Sequence, residues 1–149
     1  MQTKKLAILC SLLVLAMGAT SASADGTRLQ PLRITPGELT WKRDPRGYEQ
    51  ADIVGDATAA GTYVARIKFA PGLKIVPHSH PDDRVVVVLS GSVLLGYGTT
   101  FDEGGMRNMP AGSVWTEPAN QPHYAWARDG EVVLQVVGNG PSGTTPVTR

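Results

Sequence analysis

The pattern of apolar and polar residues predicts short β-strands along most of the chain. From 63 to 69, apolar residues at odd positions alternate with more polar ones, a period of two that predicts a strand with one drier face. Ala70-Pro71-Gly72 ends this strand as a turn. The apolar run from Val85 to Leu89 predicts a strand at 84–89 that is buried on both faces. Further strands are predicted at 73–80, 92–97, 113–116, 123–127 and 131–137, with a loop at 98–109.

The spacing of these segments predicts an all-β fold. Turn signals recur roughly every eight to twelve residues, a spacing typical of barrels and sandwiches. The 17 glycines and 11 prolines suit such a fold, and no segment has a convincing amphipathic-helix period. We therefore expect an N-terminal arm at 25–61 with one or two short strands, a barrel at 62–138 and an irregular tail at 139–149.

The first 24 residues are typical of a secretion signal. Lys4 and Lys5 precede an apolar run at 6–17, and Ala22-Ser23-Ala24 supplies small residues for cleavage after Ala24. The run is shorter than the ~20 residues that a membrane-spanning helix needs. Cys10, the only cysteine, lies inside it. The sequence predicts a secreted, periplasmic protein without disulfides or a membrane anchor.

The charge balance argues against nucleic acid as a partner. Without Lys4 and Lys5, 12 of the 14 basic residues remain against 13 acidic ones. Nucleic-acid binding needs a basic patch that displaces counterions, and no basic run is visible. A small-molecule ligand or substrate is the more suitable partner.

All three histidines belong to two short motifs. His78 and His80 are two residues apart, so in a strand both imidazoles point to the same face. His123 could add a third imidazole from a facing strand. Imidazole is the commonest side-chain metal ligand, which predicts one divalent transition metal: Fe, Mn, Zn, Ni or Cu. The alternative is that His78 and His80 decorate a surface strand and that His123 is a turn residue.

The residues around these histidines resemble the two motifs of the cupin superfamily, over residues 72–127. The first motif is read as Gly72, His78, His80, Arg84 and Gly91, and the second as Gly112, Pro118, Asn120 and His123. The resemblance implies a double-stranded β-helix, or jelly-roll barrel, with metal inside the barrel. It also implies a homodimer. Oxygenase chemistry is the first expectation and isomerase or lyase chemistry the second, and the alternative is a non-catalytic binding cupin with a degenerate site.

Arg84 departs from the first motif, where glutamate is usual. A guanidinium cannot bind a metal, so three neutral imidazoles would leave a divalent charge unneutralised and favour an anionic ligand. Arg84 is expected either to pair with Asp82 or Asp83 at the barrel rim or to bind a substrate carboxylate. Asp82 and Asp83 are expected to be solvated turn residues, with ligation of the metal by one of them as the alternative.

Strand parity suggests which residues line a pocket. If His123 points inward, Ala125 and Ala127 do so too, and these small residues leave room for a ligand. Val76 and Val86 complete the predicted pocket. Glu117 is expected to be a solvated loop carboxylate, with a role as general base as the alternative. No catalytic residue is assigned.

Overall fold

Strands make up about half of the computed structural model, which describes residues 29–148. The signal segment predicted at 1–24 lies outside the described residues. The strands are β1 (Lys42–Arg43), β2 (Glu49–Val54), β3 (Gly61–Phe69), β4 (Lys74–Ser79), β5 (Arg84–Ser90), β6 (Ser92–Tyr97), β7 (Arg107–Pro110), β8 (Val114–Glu117), β9 (His123–Trp126), β10 (Val132–Gly140) and β11 (Thr145–Pro146). A single 3₁₀ turn, Pro36–Glu38, precedes them in the described part of the chain. None of the described helices could cross a membrane.

The strands form two antiparallel sheets that enclose one core. One sheet has the order β1-β2-β3-β10-β5-β8, and the other has the order β11-β4-β9-β6-β7. Buried side chains from both sheets meet between them in a single cluster, to which Val86 and Leu134 contribute from the first sheet and Val93 and Ala125 from the second. The predicted jelly-roll fold is confirmed.

Strand β5 differs from its prediction. Val86 and Val88 are each 1% exposed, whereas Val85 is 43% and Leu89 is 41% exposed. The strand is therefore buried on one face only, because no second layer of the described structure covers the outer face of this sheet. The run of valines reflects the strand preference of β-branched residues more than double-sided burial.

Two segments expected to be irregular contain strands. Strand β7 begins inside the predicted loop at 98–109, ends one residue beyond it, and pairs with β6 at the edge of its sheet. It lacks apolar alternation, and its proline is tolerated because an edge strand leaves one side unpaired. The tail expected at 139–149 is only partly irregular, since β10 continues to Gly140 and β11 pairs with β4. The expected arm carries β1 and β2, in keeping with its prediction.

Gly91 shows why the first motif needs a glycine at this position. It forms the turn between β5 and β6 with φ of +76°. A Cβ there would overlap the carbonyl oxygen of Glu131. Only glycine adopts this conformation at low cost and also allows the close approach of the β10 end.

Candidate metal centre

The fold brings the three histidines together at one end of β4 and β9. His78 on β4 is the register partner of His123 on β9, and His80 follows directly after β4. The ring centroid of His78 lies 4.4 Å from that of His123 and 4.9 Å from that of His80. One ligand nitrogen from each ring lies within 4.8 Å of the other two. His123 thus comes from the strand that pairs with β4 in the same sheet.

Backbone carbonyl groups fix the orientation of each imidazole. Every Nδ1 lies within hydrogen-bond distance of a carbonyl oxygen, which can only accept. Each neutral ring therefore carries its proton on Nδ1 and keeps a free lone pair on Nε2, as metal-binding histidines do. The pairs are His78 with Val76 (2.8 Å), His80 with Gly143 (2.5 Å) and His123 with Gln121 (3.1 Å).

The Nε2 atom of His80 shows that the site fits a metal ion. His80 is 3% exposed, and its Nε2 is buried without a hydrogen-bond partner. A buried polar atom without a partner is costly and calls for an explanation such as a bound ion. Three convergent imidazole nitrogens are the donor set that Fe, Mn, Zn, Ni and Cu accept.

Burial keeps two of the imidazoles neutral at ordinary pH. It lowers the pKa of His78 to about 4. Burial and, after it, the charge of Arg84 lower the pKa of His80 to about 3. Because only the neutral ring binds a metal, both residues are ready to do so near pH 7.

Arg84 does not pair with Asp82 or Asp83, and the expectation of a rim ion pair with them was wrong. It lies opposite Glu117 in the register of β5 and β8, and its Nε donates to Glu117 Oε2 at 2.7 Å. A second guanidinium nitrogen also contacts that oxygen. The side chains of Arg84 and Glu117 are only 12% and 6% exposed. The guanidinium is therefore engaged by a buried carboxylate of the same chain.

Glu117 is not a solvated loop residue, so that expectation was wrong too. It ends β8, and its Oε1 accepts a 3.1 Å hydrogen bond from Trp115 Nε1. The same Oε1 lies 3.3 Å from His123 Nε2, and Oε2 lies 3.9 Å from His80 Nε2. Burial alone would raise the pKa of Glu117, but the nearby charge of Arg84 holds that pKa below its ordinary value. Glu117 is therefore an ionised carboxylate beside the histidines.

The sequence held one signal for Glu117. Trp115 and Glu117 are two residues apart in β8, and the side chains at these alternate positions are the buried ones of the strand. The predicted strand ends at 116, one residue before the end of β8, and this places Glu117 in the following loop. Extending the strand by one residue would have turned its side chain inward beside Trp115.

The two aspartates lie outside the histidine cluster and have other partners. Asp82 is 8% exposed and accepts a 2.8 Å hydrogen bond from the Tyr63 hydroxyl, so it is not the solvated turn residue that was expected. Asp83 accepts a 2.7 Å hydrogen bond from the backbone N–H of Ala119. Both carboxylates thus hold loops in place. Among the described residues the group of convergent ligand atoms comprises the three histidines, without Asp82, Asp83 or Glu117.

A cavity of about 820 Å³ opens beside the three imidazoles. Val86 and Ala125 line it and are almost fully buried. Val76 also lines it but is 64% exposed, which places this residue at the mouth. Ala127 is fully buried in the core and is not among the lining residues. The cavity has room for a small molecule in contact with the histidines.

The sequence of this region matches a known family. A profile of the cupin domain family matches residues 65–138, which run from β3 to β10 and include all three histidines. The chain is a cupin over these residues. The germin-like protein 3-1 of Oryza sativa subsp. japonica is 38% identical to this chain over 74 residues, which cover 49% of this chain and 33% of the rice protein. The chain thus spans about a third of the length of this curated relative.

Solved structures share the cupin fold at low sequence identity. The polyketide cyclase RemF from Streptomyces resistomycificus superposes with a TM-score of 0.67 at 17% identity, over 80% of this chain and 87% of the cyclase. The DMSP lyase DddQ from Ruegeria pomeroyi superposes with a TM-score of 0.61 at 14% identity, over 76% of this chain and 64% of the lyase. At such identities the likeness establishes the fold alone.

Proposed function

We propose that this cupin is a metal-dependent enzyme that acts on a small anionic molecule. His78, His80 and His123 would hold one divalent transition metal, which when bound would supply Lewis-acid or oxygen-activating chemistry. The observation that carries the proposal is the orientation of the imidazoles. Their Nδ1 atoms are hydrogen-bonded to backbone carbonyl oxygens, and the Nε2 of His80 is buried without a hydrogen-bond partner.

The charges around the imidazoles favour an anion. His78 and His80 are neutral near pH 7, since their pKa values are about 4 and about 3. Arg84 and Glu117 form a buried pair whose charges cancel. The side chains at the site therefore do not neutralise the charge of a divalent ion, and a carboxylate or enolate in the cavity would do so.

The walls of the cavity limit water and set the size of the ligand. Val86 is 1% and Ala125 is 6% exposed, and both line the cavity below its mouth. These apolar surfaces strengthen the electrostatic interactions of a bound anion, because they replace water by a medium of lower dielectric constant. We expect Ala125→Leu to weaken ligand binding while leaving the metal in place.

The class of reaction that we expect depends on whether the bound metal ion is redox-active. Oxygenase chemistry is our first expectation for a redox-active ion, and isomerase or lyase chemistry is expected for a non-redox ion. The cyclase and lyase that share the fold are compatible with the second class. A non-catalytic binding cupin is the alternative to both classes.

The experiment loads the protein with each candidate metal and measures binding of a panel of small carboxylates and their neutral amides by calorimetry. Oxygen consumption and loss of each compound are followed in parallel. Carboxylates that bind only to the metal-loaded protein, and more tightly than their amides, would support the proposal. Equal binding of carboxylates and amides, or binding that does not depend on metal, would contradict it. Binding without turnover would favour the non-catalytic alternative.

We also propose that the protein works outside the cytoplasm as a homodimer. The proposed location depends on the sequence pattern at 1–24, and the proposed homodimer depends on the family resemblance. Isolation of a periplasmic form that begins at Asp25, with a light-scattering mass of twice the chain, would support both proposals. A cytoplasmic form that keeps its N-terminus would contradict the first, and a monomeric mass the second.

A further inference from the structure

We propose that Glu117 is a fourth metal ligand, which replaces from β8 the carboxylate that the first cupin motif usually places at the position of Arg84. The inference rests on the proposed function, because it requires a metal at the three histidines. It assigns a ligand at a position of the second motif, between Gly112 and Pro118, for which the resemblance specifies no residue type. It also explains how an arginine is accommodated beside the centre.

The distances suit a shared ion. Glu117 Oε1 lies 3.3 Å from His123 Nε2, and Glu117 Oε2 lies 3.9 Å from His80 Nε2. Two donor atoms about 2.1 Å from one ion are about 3.0 Å apart at a right angle and about 3.4 Å apart at the tetrahedral angle. Oε1 therefore lies at the separation from His123 Nε2 that a common ligand shell requires, and Oε2 lies about half an ångström beyond that separation from His80 Nε2.

The carboxylate keeps a lone pair for this purpose. Oε1 accepts from Trp115 Nε1 at 3.1 Å, and Oε2 accepts from Arg84 Nε at 2.7 Å. A second guanidinium nitrogen of Arg84 also donates to Oε2, so of the about four lone-pair sites of an ionised carboxylate one remains, on Oε1, which lies 3.3 Å from His123 Nε2. Trp115 and Arg84 thus fix the carboxylate as outer partners fix the ligands of other metal sites.

The strand register explains how a glutamate on β8 can take the place of one on β5. Arg84 on β5 and Glu117 on β8 are register partners, so their side chains lie side by side on the same face of the sheet. A glutamate at either position can reach the space beside His80 and His123. When glutamate is on β8, an arginine on β5 supplies the cation that a buried carboxylate needs.

The test measures metal affinity and ligand geometry rather than turnover. Co²⁺ is titrated into the metal-stripped protein against a chelator, and its visible absorption spectrum reports the ligands. We compare the wild type with Glu117→Gln and with the exchange variant Arg84→Glu, Glu117→Arg. Glu103→Gln is the matched control, since Glu103 is an exposed glutamate paired with Lys74 away from the histidines. Circular dichroism establishes that each variant is folded.

We expect Glu117→Gln to lower Co²⁺ affinity at least tenfold and to change the spectrum, since even outer partners of metal sites are worth about 10–100-fold in affinity. The exchange variant should recover part of this loss, and Glu103→Gln should match the wild type. Wild-type affinity and spectrum in Glu117→Gln would overturn the inference. If Glu117→Gln does not fold, an exchange variant that is folded but binds no better than His123→Ala would overturn it as well. Absence of Co²⁺ binding by the wild type would instead refute the proposed function.

Discussion

Replacing Arg84 by methionine should leave the Glu117 carboxylate buried without its cation. The side chains of the pair are 12% and 6% exposed, so water cannot replace the lost donors. Removing one partner of a buried ion pair costs about 3–5 kcal/mol. With a urea dependence of about 2 kcal/mol per molar, the unfolding midpoint of the metal-stripped protein should fall by about 1.5–2.5 M at pH 7.

The pH dependence of this loss follows from the carboxylate. Arg84 lowers the pKa of Glu117, so the pair stabilises the fold above the unfolded-state value of about 4.5, and this contribution is lost as pH falls through the lower folded-state pKa. The deficit of Arg84→Met should therefore be largest near neutral pH and shrink in acid. The double variant Arg84→Met, Glu117→Gln should recover most of it. A deficit below about 1 kcal/mol, the value of an exposed ion pair, would refute the reasoning.

Two further predictions test packing and protonation. Gly96→Ala should cost about 1–3 kcal/mol in urea unfolding, as overpacking does, because its Cβ would overlap the ring of Tyr124. Gly130→Ala, whose Cβ meets nothing within 4 Å, should be nearly neutral, and equal costs would contradict this account. Burial lowers the pKa of His78 to about 4 and that of His80 to about 3, so without metal these two residues take up protons near pH 6.5 in the unfolded chain and not in the folded one. The stability of the metal-free protein should fall as pH drops from 6.5 towards 4, and replacing both histidines by glutamine should weaken this dependence.

The strands and the histidine cluster could be predicted from local pattern. Strand β3 follows the period of two from Tyr63 to Phe69. His78 and His80 stand two residues apart, so their rings could meet wherever that segment was extended. The motif glycines set the turns, as the positive φ of Gly91 shows. Each of these features depends on residues close together in sequence.

Features that depend on pairing between distant residues could not be predicted in the same way. The partner of Arg84 follows from the register of β5 with β8, and 33 residues separate it from Glu117. The nearby Asp82 and Asp83 were more obvious partners in the sequence. The orientation of the His80 ring depends on a hydrogen bond from its Nδ1 to the carbonyl oxygen of Gly143, which lies 63 residues away in a tail expected to be irregular. Tertiary contact therefore decided the electrostatics of the site, while local pattern decided the fold.

The most direct test of the account is the metal content of the purified protein, prepared without a histidine tag. Plasma mass spectrometry would be applied to the wild type and to His123→Ala after loading with Fe, Mn, Zn, Ni or Cu. We expect close to one ion per chain in the wild type and loss of that ion in His123→Ala, whose partner His78 lies directly opposite in register. A wild type that retains none of the five metals, or a variant that retains as much as the wild type, would contradict the account.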